Sequence, residues 1–220
     1  MKLYKYMDRK YCDLFFETGQ IRIGTLFDFR KDNVHNKAVG DKREGVQTKV
    51  MELSKSLYTA TADAAQMEFL SNFFVFAPGC SGVITGNPTF VHELSEPDYF
   101  IYCTTTTYSP KVMIEEFEYD SCIEILDGEK FIYEMHRVMR GYTKRMVSGV
   151  VRYDRSKLNY NQQLNYPSVM LKEARYAYQQ EHRVVWVPKD HLSSGKALEP
   201  FCINIPRARK FCRIKKEYRG

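Results

Sequence analysis

The sequence predicts a single α+β domain over residues 1–220. Three observations lead there. Segments alternating polar and apolar residues, the strand period, outnumber those with helical spacing. The two kinds follow one another without the strand–helix alternation of a doubly wound sheet, and no internal repeat interrupts them. With 44% hydrophobic and 27% charged residues, the 220-residue chain can bury one sizeable core.

Residues 2–6 alternate and open the chain as a strand. Asp8 is placed to cap a helix carrying Tyr11, Leu14 and Phe15 on one face, and Gly19 to close it. Residues 20–29 read as a strand, with Ile21, Ile23 and Thr25 against Arg22, Gly24 and Leu26. Residues 31–45 are polar and aperiodic, a long loop. A strand is expected at 46–53 and a buried one at 72–77, from its Phe-Phe-Val-Phe run. Turns follow at 78–88, which hold Gly79, Gly82 and Gly86. Residues 99–107 form a strand ending in four threonines, and 112–117 a short helix. A strand at 122–126 precedes a helix at 129–140 with Phe131, Met135 and Val138 on one face. Residues 148–153 read as a strand, 154–166 as an exposed loop and 169–176 as one or two helical turns. The strongest strand signal is 179–187, and 201–205 carries another.

No apolar stretch approaches the ~20 residues that span a bilayer, and the opening residues lack the apolar core of a signal peptide. The six cysteines, at 12, 80, 103, 122, 202 and 212, form no Cys-x-x-Cys pair and have no histidine at zinc-ligand spacing. Scattered thiols suit a reducing cytoplasm. The net charge is +6, with much of the excess at Lys144, Arg145, Arg152, Arg155, Lys157, Arg207, Arg209, Lys210, Arg213, Lys215 and Lys216. That balance suits a polyanion such as nucleic acid, or simply a solvated basic face.

Three segments carry candidate chemistry. In an extended strand Gln179, Glu181 and Arg183 share one face and His182, Val184 and Trp186 the other. The plainer alternative is an exposed polar face. The run Thr104, Thr105, Thr106 and Thr107 is either an ordinary β-rich strand or a hydroxyl-lined edge that orients a carboxylate or a ribose. Lys5, between Tyr4 and Tyr6, is either a surface lysine or a phosphate ligand.

In chain order these pieces resemble the ADP-ribosyltransferase superfamily, where a first-strand Arg or His, a hydroxyl-rich strand and a Gln-x-Glu or Glu-x-Glu motif converge on NAD. The opening is also similar to a bacterial and phage family distantly related to it. The likeness rests on Leu3-Tyr4-Lys5-Tyr6, on residues 21–30 with Arg22 and Arg30, on residues 40–45 with Asp41 and Glu44, and on Gln179-x-Glu181-x-Arg183. It implies two apposed, bent sheets around an NAD cleft.

The resemblance also implies roles. Glu181 would grip a ribose hydroxyl while the nicotinamide bond breaks, a carboxylate beside an oxocarbenium-like sugar. Gln179 would face the acceptor. Thr104 and Thr106, which share one face, or Thr105 between them, would hold Glu181 and the nicotinamide. Lys5, flanked by Tyr4 and Tyr6, departs from the usual Arg or His and lacks the guanidinium fork. Arg22 or Arg30 is therefore an alternative anion ligand. Residues 40–45 are either a loop over the cofactor or a turn between strands. Tyr160, Tyr166, Arg152 and Arg155, among the amides Asn161, Gln162, Gln163 and Asn165, would meet the acceptor by stacking and phosphate contact.

The expected activity is transfer of ADP-ribose from NAD to nucleic acid, RNA before DNA. The implied setting is a cytoplasmic toxin or anti-phage effector restrained by an antitoxin protein. Alternatives are a protein acceptor, NAD hydrolysis and a non-catalytic nucleic-acid-binding module. A metal-independent ribonuclease built on Arg30 and His35 is disfavoured by the strand-rich context. A metal nuclease built on Glu115, Glu116, Glu118 and Asp120 is disfavoured because an acidic run on a helix is usually a solvated face.

Overall fold

The computed structural model describes residues 1–31, 40–163, 165–189 and 197–215. His35 and Lys216 lie outside them, as does most of the long loop expected at 31–45. The fold is α+β, as the patterning predicts. In chain order its elements begin β1 (Leu3–Met7), α1 (Arg9–Thr18), β2 (Gln20–Thr25), β3 (Val46–Glu52), β4 (Leu57–Tyr58) and α2 (Ala64–Leu70). Then come β5 (Val83–Ile84), β6 (Thr89–Ser95), β7 (Phe100–Thr105), β8 (Ser121–Ile125), α3 (Gly128–Met139) and β9 (Thr143–Val150). The last are β10 (Leu158–Asn159), β11 (Glu181–Pro188), β12 (Phe201–Asn204) and β13 (Cys212–Ile214).

Eight strands form one antiparallel main sheet, and β10-β3-β6 and β4-β5 form two small ones. The main sheet branches at β7. One edge of β7 is paired with β11 from Phe100–Trp186 to Thr105–Glu181. The other edge is divided: β2 takes Phe100 and Ile101, and β1 takes Thr105. Beyond β2 lies β12, beyond β1 lie β8 and then β13, and β9 flanks β11.

The main-sheet face carrying Ile21, Ile23, Phe100, Tyr102, Ile123, Ile125, Val184 and Trp186 forms the larger core. Helix α1 closes it with Cys12 and Phe15, and α3 with Phe131, Met135 and Met139. Each such side chain contributes about 1.5–3 kcal/mol when fully removed from water. The opposite face buries a smaller group, Leu26, Ile101, Val169, Met170 and Val185. It is this second face that accommodates charge.

Local causes are visible at α1. Asp8 is extended and its carbonyl accepts from Tyr11 and Cys12, but its side chain makes no cap hydrogen bond. Gly19 ends the helix at φ +80°, where a Cβ would lie 2.5 Å from the Pro206 nitrogen, so only glycine fits. The buried stripe is Cys12 and Phe15, whereas Tyr11 is exposed.

Three expectations need correction. Residues 72–77 are a turn and irregular chain, not a buried strand, and Val75 is fully exposed. Their apolar run serves a satellite cluster instead, with the Phe73 ring 5.3 Å from Phe90 and 5.5 Å from Phe69. Strand β9 begins at Thr143 and ends at Val150, earlier than the 148–153 pattern suggested. Gln179 is outside β11: it ends a 3-10 turn at Ala174–Gln179, and Gln180 adopts a left-handed φ of 46° before the strand starts.

Candidate functional site

The face of β11 that bears Glu181 and Arg183 is buried, not solvent-exposed; Arg183 and Gln179 are each only 2% exposed. Alternation along β11 brings Glu181 and Arg183 together, and Arg183 Nε donates to Glu181 Oε2 at 2.7 Å. Gln179 rejoins them by a different route. Lys172, also 2% exposed, donates from Nζ to Gln179 Oε1 and to Glu181 Oε1, both at 2.6 Å.

The second acid is Glu44. Its carboxylate receives the Arg183 guanidinium in a fork, Nη1 to Oε1 at 2.6 Å and Nη2 to Oε2 at 3.1 Å. Lys172 Nζ stands 3.7 Å from Glu44 Oε2. Two carboxylates and two cations thus cancel within one buried cluster, the condition under which buried charge is tolerated. Tyr153 Oη accepts from the Glu181 amide at 2.7 Å and fixes the start of the strand.

Electrostatics follow from this packing. Burial alone pushes the Glu181 carboxyl up, but Arg183 and Lys172 together outweigh it and hold the group down at about 2. Burial likewise opposes the charge on Lys172, which the Glu181 and Glu44 carboxylates more than restore, so its ammonium is held above the usual lysine value. Burial pushes the Cys103 thiol up to about 11, with the nearby Glu181 carboxylate adding to the shift. At neutral pH the cluster is two anions and two cations beside a neutral thiol.

The threonine run has a defined task. The Gln180 carbonyl, turned by the left-handed residue, accepts from the Thr106 amide at 2.9 Å, Thr106 Oγ1 at 3.1 Å and Thr105 Oγ1 at 3.2 Å. Thr105 is the residue in register with Glu181. Thr104 pairs with His182, donates to its carbonyl at 3.1 Å, and so belongs to the opposite face. Of the three candidates, Thr105 lies beside Glu181, Thr106 clamps the turn, and Thr104 is turned away.

Lys5 lies where the second edge of β7 changes partner. Its Nζ donates to the Cys103 carbonyl at 2.9 Å and sits 5.0 Å from the centre of the Tyr102 ring. Burial lowers its pKa, Cys103 and Glu181 pull it back, and Arg22 adds to the lowering. Lys5 is therefore within electrostatic reach of both Glu181 and Arg22. Arg22 pairs with Asp28 at 2.6 Å and keeps 48% of its side chain exposed. Arg30 donates from Nε to the Glu44 carbonyl at 2.7 Å and packs over Phe27, which supports the 40–45 turn.

Tyr4 and Tyr6 belong to a separate aromatic cluster with Met113, Tyr108 and Phe117. Tyr6 Oη donates to the Thr107 carbonyl at 3.1 Å and accepts from the Ser109 amide at 2.7 Å.

No family model, curated protein or solved structure matches the chain.

The residues expected to meet an acceptor are scattered. Tyr160 packs on Phe69, 6.0 Å between ring centres, in the satellite cluster. Arg152 pairs with Asp154 and stacks over Tyr166, whose Oη donates to the Val150 carbonyl at 3.3 Å. Arg155 is corrected outright: its side chain is 5% exposed and binds Asp41 at 2.8 Å and Glu173 at 3.3 Å. It ties down residues 40–45, which form a turn with both acids, Asp41 and Glu44, buried. The exposed acids Glu115, Glu116, Glu118 and Asp120 stay at the surface. Among the described residues no group of His, Cys, Asp and Glu is placed to hold a metal, and no helix is long and apolar enough to cross a membrane.

Sequence reasoning missed Lys172 and Tyr153. Neither carries a local signal, since each sits in irregular chain ahead of β11 and gains its meaning only from the fold.

Proposed function

We propose that the chain cleaves NAD and transfers its ADP-ribose moiety, with Glu181 as the catalytic carboxylate. The supporting observation is the register that sets Thr105 directly beside Glu181 near the branch of β7, while Lys5, on the Tyr102 side of the sheet, lies within electrostatic reach of Glu181 and Arg22. In this reading the branch divides the sheet into the two arms of an ADP-ribosyltransferase-like cleft, β2-β12 and β1-β8-β13.

NAD is the substrate. Its nicotinamide–ribose bond breaks with the electron pair leaving on nicotinamide, and the acceptor nucleophile adds to the same carbon and loses its proton. Glu181, ionised at all physiological pH and 12% exposed at its side chain, stabilises the developing positive charge and receives a ribose hydroxyl. Arg183 and Lys172 hold the carboxylate in place. Gln179 is assigned to positioning Lys172 rather than to the acceptor, because its carbonyl oxygen is taken. Arg22, the more exposed cation, suits the pyrophosphate. RNA is the preferred acceptor class, and a cytoplasmic toxin or defence role restrained by an antitoxin protein accompanies this reading.

One observation favours a second reading, a non-catalytic nucleic-acid-binding module. Both Glu181 oxygens are already engaged by cations in a neutral cluster, which is also how a purely structural ion network looks. Incubation with labelled NAD and separate pools of RNA, DNA and protein distinguishes the two. The transferase reading expects label in one pool, lost in Glu181→Gln protein whose circular dichroism is native. Free nicotinamide without a labelled pool makes the chain an NAD glycohydrolase. Neither product from folded wild-type protein removes NAD chemistry and leaves the binding module.

A further inference from the structure

The face of β11 opposite Glu181 holds an open groove of about 440 Å³ between α3 and β9. Its volume falls within the range of small-molecule sites. Ile132, Met146 and Val150 form apolar walls. Polar lining comes from His136, Ser148 and His182, together with Glu129 and Tyr133. His182 is 2% exposed, its Nε2 lies 3.4 Å from Ser148 Oγ, and its ring is hydrogen-bonded to its own backbone carbonyl. The His136 Nδ1 is buried and has no hydrogen-bond partner among the described residues.

A buried ring nitrogen without a partner, on a residue that lines the groove, is a cost to the fold unless something completes it. Burial lowers the His182 pKa, so the ring is neutral at pH 7 and offers one donor and one acceptor. Apolar walls that include two flexible thioethers, at Met1 and Met146, can mould to a planar ring. Glu129 also lines the groove and disfavours an anionic ligand.

We propose that this groove binds an uncharged, planar nitrogen heterocycle of the nucleobase or nicotinamide kind, its hydrogen-bonding edge read by His136, Ser148 and His182. The site is independent of the NAD chemistry assigned to Glu181 and lies on the other face of the same strand.

The test is titration of the full chain with adenine, cytosine and nicotinamide, with adenosine and cytidine, and with AMP as the charged control. Imidazole nitrogen resonances of His136 and His182 are followed by NMR. The expected result is saturable shifts of both histidines with at least one uncharged heterocycle and weaker binding of AMP than of adenosine. A response to the free heterocycles alone, or to the nucleosides as well, tells which source the groove takes. Val150→Trp, a substitution at an exposed wall position, is expected to fill the groove and weaken binding by about tenfold or more. Absence of any shift across the uncharged panel, or equal shifts in Val150→Trp protein, overturns the proposal. The readout does not depend on NAD turnover, so failure of the transferase reading leaves it standing and its own failure leaves that reading untouched.

Discussion

Glu44 and Glu181 share two cations, so removing any one of the four strands a charge in a buried place. Replacing Glu181 with Gln leaves Lys172 and Arg183 with Glu44 alone, and loss of one partner from a buried pair costs about 3–5 kcal/mol. Urea unfolding at pH 7 measures it. The pH dependence has a definite sign. The folded pKa of Glu181, about 2, lies below its ordinary 4.5, so its stabilisation is complete above pH 4.5 and is lost as the pH falls towards 2. That amounts to ~3 kcal/mol. Unfolding free energies measured from pH 7 down to 2 are expected to drop in this window for the wild type and much less for Glu181→Gln; parallel curves would show that Glu181 does not titrate this way. Glu181 and Arg183 could be read from the sequence because alternation puts them on one face. Lys172 could not, because it approaches from irregular chain nine residues earlier.

At the scale of elements, the long periodic segments were legible and the short or satellite ones were not. Strands β1, β2, β7, β8, β11 and β12 and helices α1 and α3 carry their own pattern. Residues 72–77 look like a buried strand because composition cannot tell a core strand from an apolar turn that has no strand to pair with. The two-residue strands β4, β5 and β10 are set by their partners rather than by any period of their own. Gln179 illustrates the same limit: the left-handed residue at 180 breaks the alternation, yet Lys172 restores the grouping that alternation had suggested. Punctuation at Gly19 is testable. Gly19→Ala meets both left-handed strain and the Pro206 backbone and is expected to cost roughly 3 kcal/mol or more. Gly86→Ala, equally left-handed at φ +83° but with open space around it, is expected to cost only ~1–2 kcal/mol. Denaturation midpoints of the two variants separate strain from collision; equal losses would show that the contact with Pro206 is immaterial.

Across the whole molecule, much of the positive charge that suggested a polyanion serves the fold. Arg209 caps α1 through the Phe16 and Glu17 carbonyls at 2.9 Å, and Arg213 pairs with buried Glu124 at 2.6 Å. Net charge is visible in a sequence, but which cations remain available is a property of the packing. None of the six cysteines is paired, so thermal unfolding midpoints are expected to coincide with and without reductant; a lower midpoint in reductant would reveal a bridge. The branch at β7 has a consequence in time as well as in space. Its divided edge needs β1 and β2, and its other edge needs β11, which lies some eighty residues further along the chain. The arms wait longer still, for β12 to reach β2 and β13 to reach β8. Pairings so distant in sequence pay their loop-closure entropy before they return any contact energy, which makes folding slow and late. As the chain leaves the ribosome, β2 must therefore stay unpaired along one edge until β12 has been made, and in that interval it is open to proteases and to other unpaired strands.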